Sequence, residues 1–323
     1  MPSRLLAVLA VAGAALAAGP VEFGRAELER AIAARRLNPA LFRINTEVAV
    51  DPPESYRIVP GLIAGGDLRG VMYGLLEAAE QVRKTGRLGK AQGTPGMTMR
   101  GMRVALKDFD AGAEWFYSRE RWPALFRALA LNRFNRFNLV LPDLAPVVAE
   151  QARSLDALRF ISDTAAEYGV DFTLGLWMSQ ALEGPAVSAA LGKVLAACPA
   201  IRSVQLRMDA GAAMYALQAV QKAGRRVIVE VPAEAAAIAG AAVSGGVPLR
   251  TSAPYPKVGL GARRGEFYWE LDESGVTDAR DTAGRLAATR ASGFEIDLPQ
   301  AAPDPGPTCL LLGRLAYDSR KEQ

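Results

Sequence analysis

Beyond residue 98 the chain alternates between short apolar segments and longer segments whose apolar residues recur at helical spacing. Trp122, Leu125, Phe126 and Leu129, for example, lie three and four positions apart, which is typical of one buried helix face. The short apolar segments predict about eight strands, at residues 99–106, 137–141, 171–177, 201–208, 226–231, 247–252, 267–271 and 293–298. Strands that alternate with helices favour parallel pairing through right-handed crossovers.

Eight strand–helix units fit a TIM-type (β/α)8 barrel over residues 99–323 better than an open, doubly wound sheet. An open sheet that binds nucleotides would carry a glycine-rich phosphate-binding turn, and the sequence has no such fingerprint. We therefore predict an α/β fold built around a compact barrel.

A smaller region precedes the barrel. Residues 19–86 combine helical segments at 27–37 and 68–84 with short strand-like segments, which predicts a small α+β domain. Residues 87–98 are rich in glycine and have no apolar period, so we interpret them as a linker.

Residues 1–18 have the composition of a secretory signal peptide. Arg4 supplies a positive charge, an apolar run follows, and Ala15-Leu16-Ala17 matches a small-x-small cleavage pattern. The run is too short to span a bilayer. We expect a secreted or periplasmic protein with no stable membrane span.

Composition narrows the chemistry mainly through one missing residue type. The chain of 323 residues is 50% hydrophobic and contains no histidine, which excludes the Ser-His-Asp triad and the histidine-dependent zinc sites. Acid–base chemistry then falls to Asp, Glu, Tyr, Lys or Cys, and we expect neither a metal nor an organic cofactor. The net charge of +4 is spread along the chain, so a nucleic-acid partner is not expected. Cys198 and Cys309 are expected to be buried thiols, not a disulfide.

In a TIM barrel the active site lies at the C-terminal ends of the strands. Acidic, aromatic and arginine side chains fall at those ends in this sequence. The candidates are Asp108, Asp143, Trp177, Arg207, Asp209, Glu230, Tyr268, Trp269, Glu270 and Asp297. Aromatic rings stack on the apolar faces of sugars and carboxylates accept hydrogen bonds from sugar hydroxyls, so the set predicts a carbohydrate ligand. Each single carboxylate could instead cap a helix or pair with an arginine.

Parts of the chain resemble family 20 hexosaminidases and alpha-glucuronidases. The end of their small N-terminal domain is similar to Gly65-Gly66-Asp67-Leu68-Arg69-Gly70-Val71-Met72-Tyr73-Gly74-Leu75. The beginnings of their first two barrel strands are similar to Arg100-Gly101-Met102-Arg103 and Asn135-Arg136-Phe137-Asn138. The resemblance implies a small domain followed by a barrel that hydrolyses glycosidic bonds with carboxylates.

The resemblance breaks at the position of the catalytic acid. Family 20 enzymes end the fourth strand in an adjacent Asp-Glu pair, in which the Glu is the general acid and the Asp orients the substrate. In this chain Asp209 can stand for the orienting residue, but Ala210 occupies the place of the acid. Glu270 or Glu230 would then have to supply the acid, although Glu230 could also be an outward residue paired with an arginine.

Three hypotheses follow. The first is an exported glycoside hydrolase that uses Asp209, Glu270 and Glu230 in acid–base catalysis on a glycan. The second is a non-catalytic carbohydrate-binding protein on the same scaffold. The third is a lyase or aldolase barrel, for which Lys107 is the candidate nucleophile.

Both sugar hypotheses use the same binding surface. Trp177, Tyr268 and Trp269 would stack on sugar rings, and Arg207 would suit the carboxylate of a uronic acid. Asp108 and Asp143 complete the predicted substrate-binding set. The oligomeric state stays open.

Overall fold

The computed structural model describes residues 19–49, 52–107, 109, 113–149, 153–177, 184–254, 266–289, 291–299 and 304–318. The predicted signal peptide over residues 1–18 and the candidate Asp108 lie outside this part of the chain. Within the described ranges, no helix combines the length and the apolar character needed to cross a membrane.

The N-terminal region folds as a four-stranded mixed sheet against two helices. Its elements are α1 (Pro20–Ala34), β1 (Asn45–Val48), β2 (Tyr56–Val59), β3 (Leu62–Gly65), α2 (Leu68–Thr85) and β4 (Ala91–Gly93). The strand order is β1-β3-β2-β4, with β1 parallel to β3 and β2 antiparallel to both of its neighbours. Helix α2 packs on the sheet and α1 packs on α2.

Strand β4 falls inside the segment that the sequence suggested was a linker. It pairs antiparallel with β2, and Gly93 lies opposite Tyr56. A Cβ atom at Gly93 would lie 2.5 Å from the Tyr56 ring, so glycine is the residue that lets the two strands meet. Three residues, one of them glycine, are too few to show a period of two.

The start of helix α2 fixes the loop before it. The Asp67 carboxylate accepts a hydrogen bond from the backbone N–H of Gly70 at 2.6 Å, which is a standard N-cap. The same carboxylate accepts one from the N–H of Glu54 at 3.2 Å. A Cβ atom at Gly70 would lie 2.2 Å from the carbonyl oxygen of Ser55, so glycine allows the loop to lie directly on the helix. This arrangement holds Glu54 at the edge of the small domain.

The barrel is closed and all its strands are parallel, which confirms the predicted TIM-type fold. Its strands are β5 (Met99–Ala105), β6 (Arg136–Leu141), β7 (Asp171–Leu176), β8 (Ile201–Leu206), β9 (Ile228–Pro232), β10 (Leu249–Pro254), β11 (Glu266–Asp272) and β12 (Gly293–Asp297). Each strand pairs with the next along the chain, and β12 pairs with β5 to close the cylinder. Helices surround it: α3 (Glu114–Tyr117), α4 (Arg121–Leu131), α5 (Ala145–Val148), α6 (Arg153–Glu167), α7 (Gly184–Ala197), α8 (Ala210–Lys222), α9 (Ala236–Ser244), α10 (Ala279–Ala287) and α11 (Pro307–Tyr317).

The main apolar core lies between the outer face of the barrel and these helices. Residues such as Phe137, Leu139 and Leu174 point outward from their strands into this layer. The two cysteines belong to it as well, and both are unbridged. Burial raises the pKa of the Cys198 and Cys309 thiols to about 12, so they stay protonated and behave as small apolar side chains.

The small domain is joined to the N-terminal end of the barrel through the buried carboxylate of Glu54. This carboxylate pairs with the fully buried Arg100 of β5 and with Arg69 of α2, the latter at 2.6 Å. It also accepts a hydrogen bond from the side-chain amide of Asn135 at 2.7 Å. The hydroxyl of Tyr317 donates to the backbone oxygen of Glu54 at 2.6 Å. One residue thus connects the small domain with the first, second and last units of the barrel.

A second charged cluster holds α1 against the barrel. The carboxylate of Glu27, whose side chain is fully buried, pairs with Arg127 of α4 at 2.7 Å. Arg30 and Arg83 approach the same carboxylate at 2.7 and 2.9 Å. The two clusters, at Glu27 and Glu54, fix the position of the small domain through ion pairs as well as through apolar packing.

We expect Glu54→Gln to destabilise the protein strongly. The substitution keeps the shape of the side chain but leaves Arg100 buried without a counter-charge, which typically costs about 3–5 kcal/mol. Urea denaturation should show this loss in the free energy of unfolding. Glu47→Gln, on the exposed edge strand β1, is the matched control and should leave that free energy unchanged within about 0.5 kcal/mol.

The contribution of Glu54 should also depend on pH. Burial alone raises the pKa of Glu54, but Arg100 and Arg69 outweigh it, so the pKa lies below its usual value of 4.5. A group with a depressed pKa stabilises the fold above its unfolded pKa and loses that effect as the pH falls through its folded pKa. The gap in unfolding free energy between wild type and Glu54→Gln should be full at pH 7 and narrow below about pH 4.5. A gap that stays constant down to pH 3 would contradict this assignment.

Candidate functional site

The interior of the barrel is polar, which is the feature that defines the candidate site. Arg136 and Asn138 of β6 point inward, whereas the alternate residues Phe137 and Leu139 point outward. The neighbouring strand β5 has a glycine, Gly101, level with Arg136. A Cβ atom at Gly101 would lie 3.2 Å from Cδ of Arg136, so the glycine leaves room for the long side chain.

Arg136 is the centre of a buried ion network. Its two terminal nitrogens donate to both oxygens of Glu230, and its Nε donates to Oε1 of Glu295 at 2.8 Å. Arg250 approaches the same Glu230 carboxylate at 2.8 Å. The side-chain amide of Asn138 donates to the other oxygen of Glu295 at 3.2 Å.

Glu230 therefore faces into the barrel, as one of the two sequence interpretations held, but it is not an available acid. Burial alone raises its pKa, yet Arg136 and the hydrogen bonds it donates lower the pKa of Glu230 to about 2. The partner Arg136 comes from β6, which β7 and β8 separate from β9, and not from an outer helix. At neutral pH the carboxylate is ionised and has no proton to give to a leaving group.

Tyr268 is buried in the same layer. Its hydroxyl donates to Glu230 at 3.1 Å and accepts from the side-chain amide of Gln205 at 2.7 Å. The guanidinium of Arg136 lies over the Tyr268 ring at 5.1 Å from its centroid. The aromatic face that was predicted to bind a sugar is thus covered by a cation from the protein itself.

A second charged layer lies nearer the C-terminal ends of the strands. Glu270 pairs with Arg207 and lies 3.2 Å from Arg103. Arg103 also holds both carboxylate oxygens of Asp297. Burial and the nearby Arg103 lower the pKa of Arg207. Nε of Arg207 is buried and has no hydrogen-bond partner among the described residues.

Trp177 marks the mouth of the barrel. The guanidinium groups of Arg103 and Arg207 lie over its ring at 5.0 and 4.8 Å from the centroid, and its indole N–H donates to Gln205 at 3.2 Å. The half-buried tryptophan also borders a cleft of about 460 Å³, together with Lys107, Asp297 and several apolar side chains. This cleft is where the ends of β5, β6, β7 and β12 meet. A larger groove of about 640 Å³ lies between α7 and α8 on the outside of the barrel, away from the strand ends.

Three of the predicted site residues lie elsewhere. Asp209 is exposed and caps helix α8, accepting from the N–H of Ala212 at 2.9 Å. Asp143 accepts from the backbone N–H of Ala145, two residues on, at 2.9 Å. Trp269 points outward into the apolar layer, where it packs edge-on against Phe267 at 4.9 Å. The structure therefore brings together Trp177, Arg207, Glu230, Tyr268 and Glu270, and it separates Asp143, Asp209 and Trp269 from them.

The residues that sequence reasoning missed are mostly the partners of the carboxylates. They are Arg103, Arg136, Asn138, Gln205, Arg250 and Glu295. The signal was present in the alternation Arg136-Phe137-Asn138-Leu139 and Phe294-Glu295-Ile296, in which polar and apolar residues occupy opposite faces of a strand. In the described part of the chain, no cluster of acidic residues and cysteines is arranged to hold a metal ion.

Comparisons with known proteins show which solved structures have a similar fold, and two of them are glycoside hydrolases. No family model matches the chain, and no curated protein matches it in sequence. Among solved structures it is similar to a GH138 enzyme targeting pectin rhamnogalacturonan II, with a TM-score of 0.72 over 96% of this chain and 14% identity. It is also similar to a GH89 enzyme from Clostridium perfringens, in complex with its substrate GlcNAc-alpha-1,4-galactose, with a TM-score of 0.55 over 94% of this chain and 10% identity.

The coverage and the sequence identity of these two similarities decide how much can be concluded from them. The chain spans about half the length of each of the two structures, 50% and 49% respectively. At such low identity the similarity concerns the fold alone. The small N-terminal domain and the TIM-type barrel of this chain form a fold that it shares with glycoside hydrolases.

Proposed function

We propose that this protein binds a carbohydrate at the mouth of its barrel and does not hydrolyse it. One observation carries the proposal: every inward carboxylate described in the barrel is paired with an arginine. Glu230 and Glu295 share Arg136, Glu270 pairs with Arg207, and Asp297 pairs with Arg103.

Pairing of this kind is incompatible with the role of a general acid. Glycoside hydrolysis needs one carboxyl group that keeps its proton near neutral pH, and this requires a raised pKa. Adjacent guanidinium groups act in the opposite direction, because they stabilise the ionised form. Ala210, at the place of the family 20 acid, has no proton to transfer.

The cleft offers contacts suited to a sugar. Trp177 differs from the fully buried Tyr268 in lining the cleft with a half-buried ring, so the part of the ring that Arg103 and Arg207 leave exposed can contact the apolar face of a pyranose. Lys107 is exposed at the cleft, and in the layer beneath it the buried Nε–H of Arg207 has no hydrogen-bond partner among the described residues. These cationic groups favour a sugar that carries a carboxylate, such as a uronic acid. The two glycan-acting enzymes that share the fold support a glycan as the ligand class.

The proposal includes export, since residues 1–18 have the features of a signal peptide. A binding protein outside the cytoplasm would meet polysaccharide fragments directly. Such a role needs affinity and selectivity, and it tolerates the loss of catalytic carboxylates.

We expect saturable binding of uronic-acid oligosaccharides without product formation. Calorimetric titration should give the affinity, and a panel of nitrophenyl glycosides and glucuronides should give no release of nitrophenol. Trp177→Ala should weaken the affinity by up to about tenfold, the size of one lost aromatic contact. Met214→Ala, on the exposed side of α8 and away from the cleft, is the control and should bind like wild type.

Two outcomes would overturn the proposal. One is nitrophenol release by wild type that Glu270→Gln abolishes, since this would make Glu270 a working catalytic residue. The other is an absence of binding to every acidic and neutral oligosaccharide tested.

Glu230 should behave as a structural residue. Glu230→Gln leaves Arg136 with only part of its counter-charge, and breaking such a buried pair typically costs about 3–5 kcal/mol of unfolding free energy. Thermal and urea denaturation should both show the loss. A variant as stable as wild type would contradict the network, because removal of a catalytic carboxylate need not affect stability.

A further inference from the structure

The N-terminal end of the barrel carries a second cavity, opposite the proposed sugar cleft. It has a volume of about 220 Å³ and lies where strands β6 to β10 begin, next to the small domain. Four arginines line it, Arg69, Arg136, Arg202 and Arg250, and the only carboxylate that lines it is Asp171. Four residues with hydroxyl groups also line it: Thr98, Thr173, Ser203 and Ser292.

Three of these arginines have structural partners. Arg69 pairs with Glu54 and Asp171, and Arg136 and Arg250 share the carboxylate of Glu230. Polar residues at this end of a TIM barrel usually contribute to stability, and these three fit that rule. Arg202 does not, because the structure gives it no ion pair and no hydrogen bond from its side chain, and its side chain is exposed at the rim of the cavity.

Most of the charge around the cavity is balanced, and Arg202 is the exception. The four carboxylates of Glu54, Asp171, Glu230 and Glu295 pair with the four arginines Arg69, Arg100, Arg136 and Arg250. Asp171 pairs with Arg69 through one carboxylate oxygen, at 2.8 Å, and its side chain is 47% exposed. The guanidinium of Arg202 is thus a positive charge with no counter-charge within the described part of the chain.

The hydroxyl groups add one further donor. Ser292 donates to the backbone oxygen of Phe267 and Thr98 donates to that of Ser292, so their protons are already used. Thr173 and Ser203 share a single hydrogen bond with each other. One of these two hydroxyls donates in that bond, so the O–H of the other is not used in it.

We propose that this cavity is an anion site for a small tetrahedral oxyanion, either a free phosphate or sulfate ion or the phosphoryl group of a sugar. Arg202 and Arg250 would supply charge-assisted hydrogen bonds, and the Thr173–Ser203 pair would supply a neutral one. Neither the barrel fold nor the sugar cleft requires this site, which makes the proposal independent of the proposed function.

The test is calorimetric titration of the full chain with inorganic phosphate, inorganic sulfate and glucose 6-phosphate, at constant ionic strength set with sodium chloride. We expect saturable binding with one anion per chain. Arg202→Ala should weaken the affinity about tenfold or more, as expected for the loss of a charge-assisted contact. Arg57→Ala removes an equally exposed arginine from strand β2, outside the cavity, and should bind like wild type.

A stability measurement and a comparison of ligands complete the test. Arg202 is exposed, so its substitution should leave the melting temperature in chloride unchanged. Tighter binding of glucose 6-phosphate than of phosphate would identify a sugar phosphate as the ligand, whereas equal affinities would identify a free ion. The proposal is overturned if no anion binds more strongly than chloride, or if Arg57→Ala weakens binding as much as Arg202→Ala.

Discussion

The buried positive charge of Arg136 is the constraint around which the barrel interior is arranged. A guanidinium that is almost completely buried is tolerated only when ionised partners and hydrogen-bond acceptors surround it. Glu230 and Glu295 supply the charge, Tyr268 and Asn138 donate hydrogen bonds to those carboxylates, and Gln205 connects Tyr268 with Asn138. The centre of the barrel is therefore a closed electrostatic unit, and the apolar core lies outside it.

Because of this constraint, the inward carboxylates described in the barrel are paired with arginines, although the fold is one that glycoside hydrolases share. Carboxylates near the strand ends of a TIM barrel are the groups that a glycoside hydrolase would use, and here they serve as counter-ions. What stays open to solvent is the mouth, with Trp177, Lys107 and the cationic layer below it. Under the proposed function, a scaffold shared with glycoside hydrolases serves recognition, since function depends on the site and not on the fold.

The alternation of apolar segments was enough to predict the barrel, because strand–helix repeats leave few other topologies. Partners across the barrel could not be predicted in the same way. The strand at β6 was expected to begin at residue 137, so Arg136 was counted outside it and its inward direction was missed. Tyr268 and Trp269 are adjacent and equally aromatic, and only the register of β11 decides that one faces inward and the other outward. Asp209 caps a helix, the alternative that its position after a strand had left open, and Asp143 bonds the backbone N–H two residues on.

The glycine beside Arg136 has a consequence for how this interior could change over time. Gly101 is small because Arg136 is large, and each residue is suited to its position only while the other is present. Replacing Arg136 alone by leucine would leave a void next to Gly101 and two buried carboxylates without their main cation, while replacing Gly101 alone would push against the arginine. A return to a conventional interior would need several substitutions at once. The ion network is thus protected against stepwise reversal by the geometry that accommodates it.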